Sequence, residues 1–172
     1  MKKLLAILLM CLTCVTAFAE GDASGAVELL PCIGTTAWAD ARPLIPDPFM
    51  KGSAGRTGMT MYLGDSYDAC VTVIYARDGA AESFGWGAGT VHYVSLSKTG
   101  YTLGGIGVGD AFAELEAVCA ADGWVRLETA GENLDGAWEK IADGVRYTLS
   151  YILESGTERV SFVCVQAEKL PL

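Results

Sequence analysis

Residues 101–124, YTLGGIGVGDAFAELEAVCAADGW, hold the order of events that decides the fold. Tyr101, Thr102 and Leu103 have strand propensity, and Gly104, Gly105, Gly107 and Gly109 then interrupt any regular element. Asp110 is expected to cap the helix that follows, because its carboxylate can accept from first-turn amides and meets the positive end of the dipole. From there Phe112, Leu115, Val118 and Cys119 recur at spacings of three and four. They form one apolar face, with Glu114 and Glu116 turned to water. Asp122-Gly123 ends the run, glycine being common just past a helix C-terminus.

A weaker version of this text lies upstream. Ile33-Gly34 matches Ile106-Gly107, and with one residue of gap Trp38, Ala41, Leu44 and Ile45 fall on Phe112, Leu115, Val118 and Cys119. Strand-like text follows each copy. A period of roughly seventy residues is longer than that of solenoid repeats, so two copies of a small α+β unit are expected rather than an array.

Residues 1–19 read as a secretory signal peptide. Lys2 and Lys3 supply the basic start, Leu4 to Val15 the apolar run, and Ala17-Phe18-Ala19 the small-x-small cleavage site. Met10 and Thr13 precede Cys11 and Cys14 where a lipobox requires glycine, alanine or serine, so cleavage after Ala19 is expected. No later segment could span a bilayer. The chain is therefore expected to be extracytoplasmic, secreted or in the cell envelope. The remaining 153 residues suffice for one well-filled domain or two packed halves. They carry 10 basic and 21 acidic residues, a formal charge of −11. Nucleic acids and anionic membranes require a basic footprint, so both are argued against.

Cys32, Cys70, Cys119 and Cys164 remain after cleavage, two in each half. An even number in an exported chain points to disulfides, with three possible pairings. Placing Cys119 on the buried helix face and Cys164 on the core face of a hairpin favours Cys119–Cys164 and Cys32–Cys70. A metal site lacks support, since no C-x-x-C remains after cleavage and His92 is the one histidine.

Residues 46–58, PDPFMKGSAGRTG, read as a proline- and glycine-rich connection. Met59 to Leu63, Cys70 to Ala76 and Thr90 to Ser97 read as strands, and Ala137 to Ile141 as a shorter one. Arg146 to Leu153 and Glu158 to Gln166 flank Ser155-Gly156. If those two residues form the turn, Tyr151 faces Val160, Leu149 faces Phe162 and Tyr147 faces Cys164, all on the core face. Ile152, Val163 and Val165 are then apolar exceptions on a polar face of Arg146, Thr148, Ser150, Ser161 and Arg159. The expected fold is α+β: two tandem repeats, 20–98 and 99–172, each a short helix packed on a three- to four-stranded antiparallel sheet.

Ile106-Gly107-Val108-Gly109-Asp110-Ala111, with Leu115, stands where β-lactamase inhibitory proteins have I-x-x-G-M-T-x-x-x-V. The chain resembles that fold of two tandem helix-plus-sheet repeats; small bacterial outer-membrane assembly lipoproteins carry a single unit. It is also similar to a G-I-x-V-G-D-S motif of exported Gram-positive proteins. The resemblance implies the fold and protein binding. It identifies no target, since no inhibitory contact residue is matched.

Gly105-x-Gly107-x-Gly109 sits between strand and helix like a dinucleotide loop, but Asp110 occupies the third glycine position of G-x-G-x-x-G and would repel a pyrophosphate. No cofactor is expected. Asp65 and Asp68 lack the alternating oxygen ligands of a calcium loop. No G-x-S-x-G surrounds any serine. Gly79 to Gly89, GAAESFGWGAG, is much longer than its counterpart in the second half and carries Phe84 and Trp86. Large aromatics among glycines either meet a partner or fold back as a core plug. The sequence thus reads as a non-catalytic binding domain that recognises a protein or envelope ligand through the sheet face and Phe84/Trp86. A small hydrolase using His92, Asp65 and Asp68, or a purely structural envelope protein, is the alternative.

Overall fold

The computed structural model describes residues 25–45, 49–54, 57–63, 70–76 and 86–171, with side chains left aside over 49–63. Among these residues the chain is mostly β-sheet with two short helices, an α+β arrangement whose sheets do not close. The strands are β1 (Val27–Glu28), β2 (Phe49–Ala54), β3 (Thr57–Leu63), β4 (Cys70–Ala76), β5 (Val91–Leu96), β6 (Tyr101–Leu103), β7 (Ile106–Gly107), β8 (Val125–Arg126), β9 (Gly136–Ala142), β10 (Val145–Leu153) and β11 (Val160–Lys169). The helices are α1 (Trp38–Ala41) and α2 (Phe112–Ala121).

Eight strands form one sheet in the order β2-β3-β4-β5-β11-β10-β9-β8. The last strand of each half, β5 and β11, meet at its centre, pairing antiparallel from Val163↔Leu96 to Gln166↔Tyr93. Strand β2 replaces the connection expected over 46–58. Pro46 and Pro48 precede it, and pairing along the whole of Phe49–Ala54 with β3 overrides the weak strand propensity of Gly52 and Ser53.

Side-chain alternation divides the sheet into two unlike faces. On one, Val71, Leu96, Val163 and Tyr151 stand in a row, and Val73, Val94, Val165, Leu149 and Trp138 in the next. All nine are buried and belong to the hydrophobic core. Leu115 and Cys119 of α2 join that core, with Phe112 and Val118 half-buried beside it, as the helical spacing predicts. The Phe112 and Tyr151 rings lie 5.5 Å apart. Ala41 and Ile45 are buried at the first helix, with Trp38 stacked on Tyr75 at 5.6 Å. Pro43 has no N–H to continue α1, which gives way to a 3-10 turn over Arg42–Leu44.

The β10–β11 register differs from the expected one. Tyr151 pairs with Val163, Leu149 with Val165 and Tyr147 with Ala167, a slip of three residues. Residues 154–159 form the connection, in place of a two-residue turn. Glu154 N donates to Arg159 O (2.8 Å), Thr157 N donates to Glu154 O (3.0 Å), and a bulge follows at Ile152/Leu153. The odd slip turns the β11 side chains from Phe162 onward over, while Val160, beyond the bulge, is buried in the core as expected. Val163 and Val165, exceptions in the expected register, are the core residues; Phe162 and Cys164 go to the other face.

Asp110 also differs from expectation. The N-cap of α2 is Ala111, whose N–H donates to Glu114 Oε2 at 2.9 Å. The Asp110 carboxylate instead accepts from Gly107 N at 2.7 Å, closing the glycine turn before the helix. Gly123, with φ +76°, ends α2 as predicted.

Both helices are entered the same way. Ala37 bridges to Thr90, just before β5, and Trp38 N donates to Gly89 O at 2.7 Å; Ala111 bridges to Arg159, just before β11, and Phe112 N donates to Glu158 O at 2.7 Å. The backbone angles of Ala37 and Ala111 agree within a few degrees. Strand β1 pairs parallel with β6 in a separate small sheet completed by β7, so the segment before the first helix is tied into the second half. The Glu28 carboxylate makes that tie: Oε1 accepts from Leu30 N (2.7 Å) and Gly104 N (2.9 Å), and Oε2 from Thr102 Oγ1 (3.0 Å) and Gly105 N (2.7 Å).

Candidate functional site

The helices cover one face of the large sheet, and the other face is built differently. Its central row is Thr72, Ser95, Cys164, Ser150 and Ala137; the next is Ile74, Tyr93, Gln166, Thr148, Glu139 and Val125. Ser95, Cys164, Ser150 and Ala137 in the central row are small and buried. A further row, Ile141–Arg146–Glu168, follows towards the β9–β10 turn. Arg146 bridges Glu139 at 3.0 Å and Glu168 at 3.1 Å, tying three strands together.

Val125 and Ile141 are the two large hydrophobic residues most exposed among the described residues, at 67% and 57%. Both stand on this face, on β8 and β9. Their neighbours in sequence turn the other way. Arg126 lies over the rings of Phe112 (5.8 Å) and Trp138 (5.9 Å) and pairs with Glu116, while Lys140 pairs with Asp122. Ile152 and Phe162, opposite one another, add half-buried apolar surface at the far end. Sequence reading passed over Val125 and Ile141. The signal was available as parity, since Trp138 in the core fixes Ile141 on the opposite side of β9.

Trp86, expected either to meet a partner or to plug the core, is 8% exposed and belongs to the core cluster. Its six-membered ring edge lies close to Gly34, where an added Cβ would come within 3.4 Å of it and within 3.3 Å of the Tyr147 hydroxyl. Phe84, Asp65 and Asp68 lie outside the described residues. His92 is half-buried in β5, where burial pulls its pKa below the usual histidine value. Among the described residues no group of three or more His, Cys, Asp or Glu is placed to hold a metal ion, and no helix is long and apolar enough to cross a membrane.

Cys32, Cys70, Cys119 and Cys164 are free, and the expected pairs would have to pass through the sheet. Cys119 and Cys32 sit in the core on the helix side. Cys164 stands on the other face, paired in register with Ser95 and Ser150, and Cys70 Sγ lies 3.4 Å from Ser97 Oγ and 3.8 Å from Thr72 Oγ1. The register slip that turned β11 over separates Cys164 from Cys119.

Burial pushes the thiols of Cys32 and Cys119 up to about 11, with Glu28 and Asp122 adding to the effect at each. Burial also raises the Tyr93 phenol, to about 12. In the unfolded chain a thiol ionises near 9, whereas the folded chain holds these protons until about 11. Their contribution to stability is therefore full below pH 9 and lost as pH rises through 11. The urea midpoint is expected to fall steeply across that window under reducing conditions; a midpoint level to pH 11 would contradict this thiol placement.

No protein-family model matches the chain, and no curated protein or solved structure matches it either.

Proposed function

We propose that this chain is an exported, non-catalytic binding domain of two α+β repeats, which recognises a protein or cell-envelope ligand on the face of its eight-stranded sheet opposite α1 and α2. The observation that carries this reading is the placement of Val125 and Ile141 together on that face. A soluble domain tolerates scattered exposed hydrophobics, but a patch rimmed by polar groups is the usual mark of an interaction surface. Here Glu139, Arg146, Thr148 and Gln166 rim it with donors and acceptors already ordered by the strands.

Two structural parallels support the repeat. The strand order is β2-β3-β4-β5 followed by β11-β10-β9-β8, each half running inward to its last strand. The entries to α1 and α2 use corresponding hydrogen bonds, with Trp38 and Phe112 in corresponding places as the matched text expects. The resemblance of Ile106–Ala111 to β-lactamase inhibitory proteins points the same way, towards two units and a protein ligand. Export rests on the basic, apolar and small-x-small order of residues 1–19.

The test is capture of a partner from culture supernatant and envelope fractions by the protein and by a variant carrying Val125→Lys with Ile141→Glu. Lys at 125 faces Glu139 and Glu at 141 faces Arg146, so both new charges meet opposite ones across the strands. Stability is expected to change by less than about 1 kcal/mol, the scale for surface substitutions, while capture falls at least tenfold. Undiminished capture by the double variant would refute the face as the binding surface.

A further inference from the structure

We propose that a cavity of about 250 Å³ on the helix side of the sheet binds a small apolar molecule that carries a carboxylate. It lies between the turn that follows β1 and the strands β9 and β10. Leu30, Pro31 and Ile33 come from the first half of the chain, and Trp124, Lys140 and Tyr147 from the second. Ligand sites favour such junctions, and a cavity of this size suits one ring with a short chain rather than a drug-sized ligand.

The hydrogen-bonding groups of the lining select the ligand's polar end. Trp124 Nε1 already donates to Asp122 Oδ2 at 3.0 Å, and the Thr35 hydroxyl donates to the Pro31 carbonyl. The lining includes an ammonium, Lys140, and no carboxylate to pair with a cationic ligand. Lys140 brings an ammonium with three N–H groups, of which Asp122 Oδ2 at 2.8 Å takes one. Asp122 is half exposed, so water screens its hold on Lys140. A ligand carboxylate held against the apolar walls would meet the same ammonium at lower effective dielectric, where attraction is stronger. The Tyr147 hydroxyl is a further donor of the lining, and the Trp124 and Tyr147 rings suit a flat apolar body.

Ligand-observed NMR with 3-phenylpropionate and its neutral analogue 3-phenylpropanol tests this site on the purified protein. The acid is expected to bind saturably with Kd below about 1 mM, within reach of a ligand of that size. The alcohol is expected to bind at least tenfold more weakly. Lys140→Met should bring acid and alcohol to equal affinity. Ala142→Leu, which extends a side chain of the lining, should abolish binding of both while circular dichroism shows the sheet intact. Absence of saturable acid binding, or equal binding of acid and alcohol by the parent protein, would overturn the proposal. So would binding that survives in folded Ala142→Leu protein.

Discussion

Trp86→Ala is expected to lower stability by ~3–5 kcal/mol, the scale for truncating a buried tryptophan. For a chain of this size that corresponds to a melting temperature lower by roughly 10 °C or more. The loss comes from the cavity left beside Gly34 and Tyr147, which the ring closes. Among the described residues the nearby backbone is held in place: Gly34 N donates to Val91 O at 2.7 Å, and Gly89 N and Ala76 N donate to Ala76 O and Thr90 O. Gly34 has φ +78°, where a larger residue would be strained as well as crowded, so the close approach needs glycine at that place. Thermal unfolding of the single variant decides the matter. An unchanged melting temperature accompanied by lost partner capture would return Trp86 to the binding surface and remove it from the core.

Glu28→Ala is expected to cost about 3 kcal/mol. It withdraws a charged acceptor from three backbone N–H groups and one hydroxyl, and hydrogen bonds to charged groups contribute ~1.5–3 kcal/mol each when not replaced by water. Gly105 lies at the surface and recovers a water partner; Leu30 N and Gly104 N are half-buried and recover less. Glu28→Gln separates the carboxylate's role from that of packing. The amide oxygen keeps one pair of donors, and the Thr102 hydroxyl can reverse to accept from the new NH₂. The Gly105 N–H then faces a donor, so roughly half the loss is expected. The readout is the urea midpoint together with amide exchange at Thr102, Gly104 and Gly105, which should quicken ahead of the large sheet. If Gln and Ala were both neutral, the tie between the two halves would lie elsewhere.

The parts of this fold legible in the sequence are those set by neighbours in the chain. Helix α2 and its buried side follow from the spacing of Phe112, Leu115, Val118 and Cys119, and its end from Gly123. The core side of β10 follows from the alternation of Tyr147, Leu149 and Tyr151. The register of β11 was misread because Ser155-Gly156 resembles a tight turn, although Thr157 to Arg159 belong to the same connection. The apolar pair Val163 and Val165, left facing water in the expected register, was the local sign of the error. The junction of β5 with β11 joins residues some seventy positions apart and has no local signal. The open face depends on that junction, so its extent could not be read from either half. Val125 and Ile141 were missed for a related reason: each looks like an ordinary strand residue until the side taken by Trp138 is known.

Photo-crosslinking from the two sides of the sheet tests the binding face most directly. A benzophenone amino acid placed at Ile141 stands on the sheet face opposite α1 and α2; one at Ala120 stands on the exposed surface of α2. Irradiated with the partner-containing envelope or supernatant fraction, the protein labelled at 141 should yield a covalent adduct of one partner, and the protein labelled at 120 should yield none. Adducts formed from 120 and not from 141 would contradict the account.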